Sequence, residues 1–302
     1  MSQDLKKAIQ REYLKCAENP VHFMRKYCTI QHPNHGKVKF DLYPFQEKCL
    51  TDFKDNRYNI ILKARQLGIS TLSAGYALWL MLFHNDKNIL VIATGKDTAK
   101  NLVTKVRVMY DGLPQWLKTN TEEINKLSIR FANGSQIKAI ASNESAGRSE
   151  ALSLLIIDEA AFIDKVDTIW TAAQQTLATG GDSIVLSTPN GVGNWFHQQW
   201  VGAESGDNEF NTIRLHWTDH PDRDEKWRKE QDKILGPSQA AQECDTDFLS
   251  SGQSVVDPQI LQWYKDEMIE LVKPQWYENK YLWFGIGVIF TAGSVNLAGQ
   301  IN

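Results

Sequence analysis

The stretch "NRYNIILKARQLGISTLSAGYALWLMLFHN" (residues 56–85) decides the architecture. Its apolar run from Tyr58 to Leu62 has the length and composition of a buried strand, and the run from Ser70 to Phe83 that of an apolar helix. Between them lies a tight loop. A strand that turns straight into a helix aims the helix's unpaired N–H groups and the positive end of its dipole at one spot, where a phosphate is stabilised. In the common phosphate loop, G-x-x-x-x-G-K-[ST], lysine follows the second glycine and the next hydroxyl holds magnesium. Here Ile69 follows Gly68, Lys63 stands where the first glycine belongs, and Ser70 and Thr71 supply the hydroxyls. A lysine at the start of the loop can fold back over the phosphates, because the loop wraps them and keeps both its ends within a side chain's reach. Lys63 can therefore replace the missing lysine, the alternative being an ordinary surface lysine at a strand end. Gln66, Leu67, Gly68, Ile69, Ser70 and Thr71 complete the expected nucleotide-binding set, and Arg65 offers a second cation.

The remaining composition is that of a soluble globular chain. Its 302 residues are 42% hydrophobic and 23% charged, enough for one large domain or two modest ones. Four cysteines (Cys16, Cys28, Cys49, Cys244) form no C-x-x-C pair, which implies free thiols in a reducing compartment and no structural metal. The N-terminus alternates charged with apolar residues and lacks the uninterrupted apolar segment of a secretion signal, so a cytosolic protein is expected. Net charge is −3, which gives no global attraction to nucleic acid; any DNA contact must be local or helped by other chains.

Along the chain, apolar spacing over residues 1–30 predicts two short helices broken near Pro20, and Gln31 to Gly36 (QHPNHG) reads as a solvated loop. KNILVIATG (residues 87–95) is a second buried strand, followed by a helix from Asp97 to Tyr110 with Leu102, Val106 and Met109 on one face. LSIRFANGSQIKAIA (residues 127–141) predicts a hairpin turning at Asn133-Gly134. ALSLLIIDEAAFI and DSIVLSTPNG supply two further buried strands. Buried strands alternating with helices imply an α/β fold, a mainly parallel sheet with helices on both faces, and ligand chemistry at the strands' C-terminal ends. His216, Trp217, His220 and Pro221 read as a polar loop around a packed tryptophan, and Asp224 to Leu235 as a solvated helix.

Nucleotide hydrolysis needs a second element, an apolar strand ending in an aspartate for magnesium and a carboxylate that activates the attacking water. Leu154-Leu155-Ile156-Ile157-Asp158-Glu159 carries both. Asp158 is assigned to magnesium, with Ser70, and Glu159 to the general base; a strand that merely ends in solvated acids is the bland alternative.

At these residues the sequence resembles the large subunit of the tailed-phage terminase, the ATPase motor that packages viral DNA. "RQLGIST" (Arg65 to Thr71), preceded by Lys63, is similar to that family's deviant loop, and "LLIIDEA" (Leu154 to Ala160) to its second motif. "STPNG" resembles its coupling motif (Ser187, Thr188, Pro189, Asn190), and "YPFQ" its adenine-recognition element, with Gln46 on the base edge and Phe45 on its face. Locally, the first also reads as a plain turn and the second as a helix start. "QECDTDFLSSG" (Gln242 to Gly252) is like the segment that closes the ATPase region. The resemblance covers about residues 10–258 and implies a P-loop NTPase that uses ATP and Mg2+ to move double-stranded DNA into a procapsid. It further implies a homo-oligomeric ring, portal protein and terminase small subunit as partners, no membrane, and residence in the host cytoplasm and transiently at the portal vertex. Arg148 is a candidate trans-acting finger, with Arg65 as the cis alternative; a surface arginine beside Glu144 or Glu150 is the plain reading of Arg148.

The expected organisation is a helical lead-in (residues 1–40), an ATPase core (41–210), a small helical subdomain or linker (211–258) and the start of a truncated or divergent C-terminal region (259–302). No acidic residue follows Glu278, and a two-metal nuclease needs a carboxylate cluster, so DNA cleavage is not expected. Two other readings stay open: a DNA helicase or remodelling ATPase, which shares the glutamine, the loop and Asp-Glu, and a non-hydrolysing nucleotide-binding scaffold, suggested by Ile69.

Overall fold

The computed structural model describes residues 3–32, 34–142 and 151–249. The chain divides into the units Met1–Gln253 and Ser254–Asn302, and the described residues lie in the first. In chain order they form α1 (Gln3–Glu18), α2 (Pro20–Tyr27), β1 (Thr29–His32), β2 (Gly36–Lys39), α3 (Pro44–Asp55), β3 (Tyr58–Lys63), α4 (Ile69–Phe83) and β4 (Asn88–Ala93). Then come α5 (Lys96–Gly112), β5 (Thr121–Ile124), β6 (Ser128–Phe131), β7 (Gln136–Ala141), β8 (Leu154–Asp158), α6 (Val166–Leu177), β9 (Asp182–Ser187), α7 (Trp195–Ser205), β10 (Asn211–Leu215), α8 (Glu225–Leu235) and α9 (Pro237–Cys244). No helix among the described residues is long and apolar enough to cross a membrane.

The central sheet has eight strands in the order β10-β3-β9-β8-β4-β7-β6-β5. From β10 to β7 every pairing is parallel, and β6 and β5 add antiparallel strands at one edge. The strands read as continuous apolar runs because both faces are covered. In β8, Leu154 and Ile156 join one core with α2, α3, α4 and α5, whereas Leu155 and Ile157 join a second with α6 and α7. β3 divides the same way, with Ile61 on the first side and Ile60 and Leu62 on the second. α4 is apolar all round because the sheet takes one side of it and α2, α3 and α5 the others. Ahead of it, α1 is fastened to α2 largely by polar contacts: Glu12 Oε1 accepts from His22, Lys26 and Tyr27 at 2.7, 2.7 and 3.0 Å.

The predicted α/β fold and hairpin stand, as β6 and β7 pair antiparallel across the turn at Gly134. Trp217 is buried, α8 buries no residue, and all four cysteines are free and buried. One expectation is corrected. Gln31 to Gly36 is not simply a loop, since Gln31 and His32 complete β1 and pair with Lys37 and Gly36 of β2. Strand pairing gives those backbone groups partners that a solvated loop leaves to water. β5 and β10 are short edge strands that the sequence reading did not mark; β5 is largely exposed, and β10 alternates only over Ile213, Arg214 and Leu215.

Truncating Ile156, wholly buried in β8, leaves a cavity under α4. Ile156→Ala lowers stability by about 2–4 kcal/mol in urea unfolding of the full chain, whereas Val192→Ala, exposed, stays within about 0.5 kcal/mol of the parent.

Candidate active site

The loop between β3 and α4 takes its shape from side chains donated by distant elements. Arg223, between β10 and α8, donates to the carbonyls of Arg65 and Gln66 at 3.0 and 3.2 Å. Gln46, in the first turn of α3, donates Nε2 to the Leu67 carbonyl at 2.9 Å. With three successive carbonyls tied back, the N–H groups of Gln66, Leu67 and Gly68 donate no hydrogen bond among the described residues. Together with the unpaired N–H groups of the first turn of α4 they form a concavity of donors that suits an anion. Two left-handed residues make this shape, Gln66 at φ 59° and Gly68 at φ 76°. A Cβ on Gly68 would also meet Gln46 Nε2 at 2.8 Å, so glycine is required there twice over.

Leu67 and Ile69 bury their side chains in the core, so only their backbones face the loop. Lys63 is 5% exposed, and its Nζ lies 3.1 Å from Glu159 Oε1 at the end of β8. It is thus not a surface lysine. β9 runs between β3 and β8, and the Lys63–Glu159 pair spans the intervening strand. Asp158 is buried, and the nearby Ser70 hydroxyl favours its ionised form. Burial pushes its pKa above the ordinary value of 3.8, and Glu159 adds to the shift, against the opposing pull of Lys63 and Lys105. Its Oδ1 has no hydrogen-bond partner although it is buried. An orphaned carboxylate oxygen beside a hydroxyl is the hard oxygen donor set that a divalent cation takes, so Asp158 and Ser70 fit Mg2+.

Glu159 adopts the left-handed conformation, φ 57°, a strain of the kind that surrounding structure must hold in place. Here the holding is done two residues on. Ser187 Oγ accepts from the Ala161 N–H at 3.1 Å, and Asn190 Nδ2 donates to the Ala161 carbonyl at 3.0 Å. Gln242 of α9 donates to the Pro189 carbonyl at 3.1 Å. Its neighbour Glu243 accepts the Arg65 N–H at 2.7 Å through its own carbonyl, while its carboxylate lies 3.4 Å from the Arg65 guanidinium. Hydrogen bonds therefore run from the Glu159 turn through Ser187–Asn190 and α9 back to the phosphate-type loop. Arg65, Glu159, Thr188 and Glu243 share a cavity of about 530 Å3 with Thr94, Thr98 and Phe162. Burial raises the Glu243 carboxyl above its ordinary value, with Arg65 opposing.

Lys63, Arg65, Ser70, Asp158, Glu159 and Ser187–Asn190 thus gather at the C-terminal ends of the strands. Gln46 is 2% exposed, and its amide both holds the Leu67 carbonyl and accepts the Tyr43 N–H at 3.1 Å, so it shapes the loop. Phe45 stacks on Tyr43 with centroids 5.6 Å apart, and Tyr43 in turn meets His220 at 4.7 Å. Arg148 lies outside the described residues. Sequence reading missed Arg223, Gln242 and Glu243, because no local pattern links them to a loop so far away in the chain.

Comparison with known proteins bears on the family and the fold. The family described as "Terminase large subunit, T4likevirus-type, N-terminal" matches residues 60–267. A probable terminase large subunit, gp28 of Escherichia phage Mu, is 35% identical over 101 residues, which span 33% of this chain and 18% of that protein. The large terminase ATPase domain of Thermus phage P74-26 superposes with a TM-score of 0.53 at 20% identity, covering 64% of this chain and 89% of that one. The large terminase of bacteriophage HK97 gives 0.62 at 18% identity, covering 77% and 55%. That of a thermophilic bacteriophage, solved in complex with ADP, gives 0.54 at 14%, covering 67% and 52%.

Gln46→Ala strips the Leu67 carbonyl of its buried donor and lowers stability by about 1–3 kcal/mol in urea unfolding, with the loop's susceptibility to proteolysis rising in parallel. Because the Asp158 pKa is raised, protons compete with a cation there at higher pH than at an ordinary carboxylate. Mn2+ affinity accordingly weakens on acidification with a midpoint above 3.8, a dependence that Asp158→Asn removes.

Proposed function

This chain belongs to the terminase large-subunit family, and we propose that it hydrolyses ATP to drive double-stranded viral DNA into a procapsid. The observation that carries the reading is the meeting of Lys63, Asp158 and Glu159 beside a loop in which the Gln66, Leu67 and Gly68 N–H groups donate no hydrogen bond among the described residues. In this reading the loop amides and Lys63 cradle the terminal phosphates of ATP, whose charge increases toward the transition state. Glu159 orients a water and accepts its proton as the water oxygen attacks the γ-phosphorus. The bond to the β–γ bridging oxygen breaks, and ADP leaves. Asp158 and Ser70 would hold Mg2+, which supplies charge neutralisation and alignment of the phosphates when bound. Lys63 also holds the Glu159 carboxylate in place at 3.1 Å, so one side chain serves phosphate binding and base positioning.

Arg65 is the cis cation of the site and Phe45, backed by Tyr43, an aromatic face for the adenine. The nucleotide assignment is supported by the large terminase of the thermophilic bacteriophage, solved with ADP and with ATP-γ-S. Residues 41–210 act as the motor core and 211–258 as a small subdomain, with portal protein, small subunit and further copies of the chain as partners in the host cytoplasm. Ser187–Asn190 transmit hydrolysis, since they grip the Ala161 peptide beside the base and are gripped in turn by α9.

Lys63→Ala abolishes ATP turnover, and Ile69→Ala leaves it near the parent's if the protein folds. Glu159→Gln keeps ATP binding and slows hydrolysis by about two to four powers of ten. Steady-state phosphate release, with and without double-stranded DNA, together with equilibrium binding of a fluorescent ATP analogue, checks all three. Parental turnover in Lys63→Ala, or loss of binding in Glu159→Gln, refutes the respective roles.

A further inference from the structure

Arg65 is held at three points by residues that follow β10 in the chain. Its N–H donates to the Glu243 carbonyl at 2.7 Å, its carbonyl accepts from Arg223 at 3.0 Å, and its guanidinium lies 3.4 Å from the Glu243 carboxylate. Arg223 is itself fixed, with its guanidinium 4.4 Å from the centre of the Trp227 ring. The main chain of Arg65 is thus pinned on both sides, and only the side chain, 65% exposed, has room to move. Glu243 is the opposite case. Its side chain is 20% exposed, and Oε2 is buried with no hydrogen-bond partner. An ordinary surface pair keeps both carboxylate oxygens in water or on donors, because a sealed oxygen without a partner costs desolvation that nothing offsets. Two carboxylates, Glu159 and Glu243, line the cavity of about 530 Å3 that also holds Arg65 and Thr188. Each has one cation, Lys63 at 3.1 Å from Glu159 and Arg65 at 3.4 Å from Glu243. Among the described residues Arg65 makes no other ion pair. An anion entering that cavity therefore meets a mobile cation whose single counter-charge is Glu243.

We propose that Glu243 is a positioning residue that holds the Arg65 guanidinium in the nucleotide-free site and yields it to the γ-phosphate of ATP. The inference rests on the reading of Arg65 as the cis cation of an ATP site. ADP lacks the γ-phosphate and leaves the pair with Glu243 intact. Arg65 thus changes its anionic partner with the nucleotide, and because its backbone is pinned to Glu243 and Arg223 the change is confined to the side chain. Glu243 has no need to touch the nucleotide; it acts through Arg65, and it sets how strongly the site prefers a triphosphate to a diphosphate.

The test is isothermal titration of the full chain with ATP-γ-S and with ADP, each in the presence of Mg2+. Glu243→Gln keeps the shape and the backbone carbonyl and removes the charge; burial already raises the carboxyl above its ordinary value, so a neutral amide is tolerated there. That variant should bind ATP-γ-S about threefold more tightly than the parent, the scale of a partly exposed ion pair, and ADP as the parent does. With Arg65→Ala in place, adding Glu243→Gln should change neither affinity. Tightening that persists without Arg65 marks a general field of the carboxylate on any anion and overturns the inference. So does unchanged or weaker ATP-γ-S binding in Glu243→Gln, or an equal gain for ADP. A purely structural glutamate would shift the melting temperature and leave the ratio of the two affinities alone. If Glu243→Gln fails to fold, Glu243→Ala carries the same expectation and the same refutation. A parent chain that binds neither nucleotide sinks the ATP reading and this inference together. Nucleotide binding by the parent, with the same ATP-γ-S to ADP ratio in Glu243→Gln, sinks the inference alone.

Discussion

A lysine ammonium buried at the end of β3 has to find a carboxylate, and the contact it makes with Glu159 organises the rest of the site. Burying a charge without a partner is prohibitively costly, so the pair can exist only if the strand ends are held at fixed separation. The parallel ladder does this. β9 pairs with β3 on one side and β8 on the other, which sets the distance that the Lys63 side chain spans. Two closed cores, one on each face of the sheet, keep that ladder rigid. The reach of one side chain is thus matched to the width of one intervening strand.

The loop obeys a similar constraint. It has no lysine after its second glycine because Ile69 is turned into the core, where an ammonium would be unpartnered. The positive charge enters from the strand end, and the carbonyls that would otherwise face an incoming anion are pulled away by Gln46 and Arg223. Strained backbone falls on both halves of the site, at Gln66 and at Glu159. Each strained residue is clamped by hydrogen bonds from outside its own loop, as strain at a functional position requires.

These clamps join into a circuit. Ser187 and Asn190 hold the peptide that follows the base, Gln242 holds Pro189, and Glu243 meets Arg65 by backbone and side chain. A change in the loop is therefore felt at α9 and at the Glu159 turn through a few hydrogen bonds. Such contacts are short in space and long in sequence, and they tie the Ser187–Asn190 segment to the Glu159 turn and to α9.

What the sequence by itself determined is whatever depends on local pattern. Four aliphatic residues ahead of Asp158 and Glu159 read as a strand buried on both faces, and the apolar runs Tyr58 to Leu62 and Ser70 to Phe83 as strand and buried helix about a tight turn. The sheet class, the loop and the places of Lys63, Asp158 and Glu159 at strand ends were legible on those grounds, whereas Ser187–Asn190 read locally as a plain turn and stood out only by resemblance. The tertiary structure alone decided the roles that depend on which distant chains meet. That Gln46 holds the Leu67 carbonyl, for example, is visible only once the fold brings α3 against the loop. Arg223, Gln242 and Glu243 belong to polar helices and connections, whose pattern is that of any solvated face. β5 escaped notice because it is half-exposed with no alternating apolar code, and β10 because its alternation covers only Ile213 to Leu215. Hydrophobic periodicity records which face of an element is buried; it carries no information about which charge from the far end of the chain is buried with it.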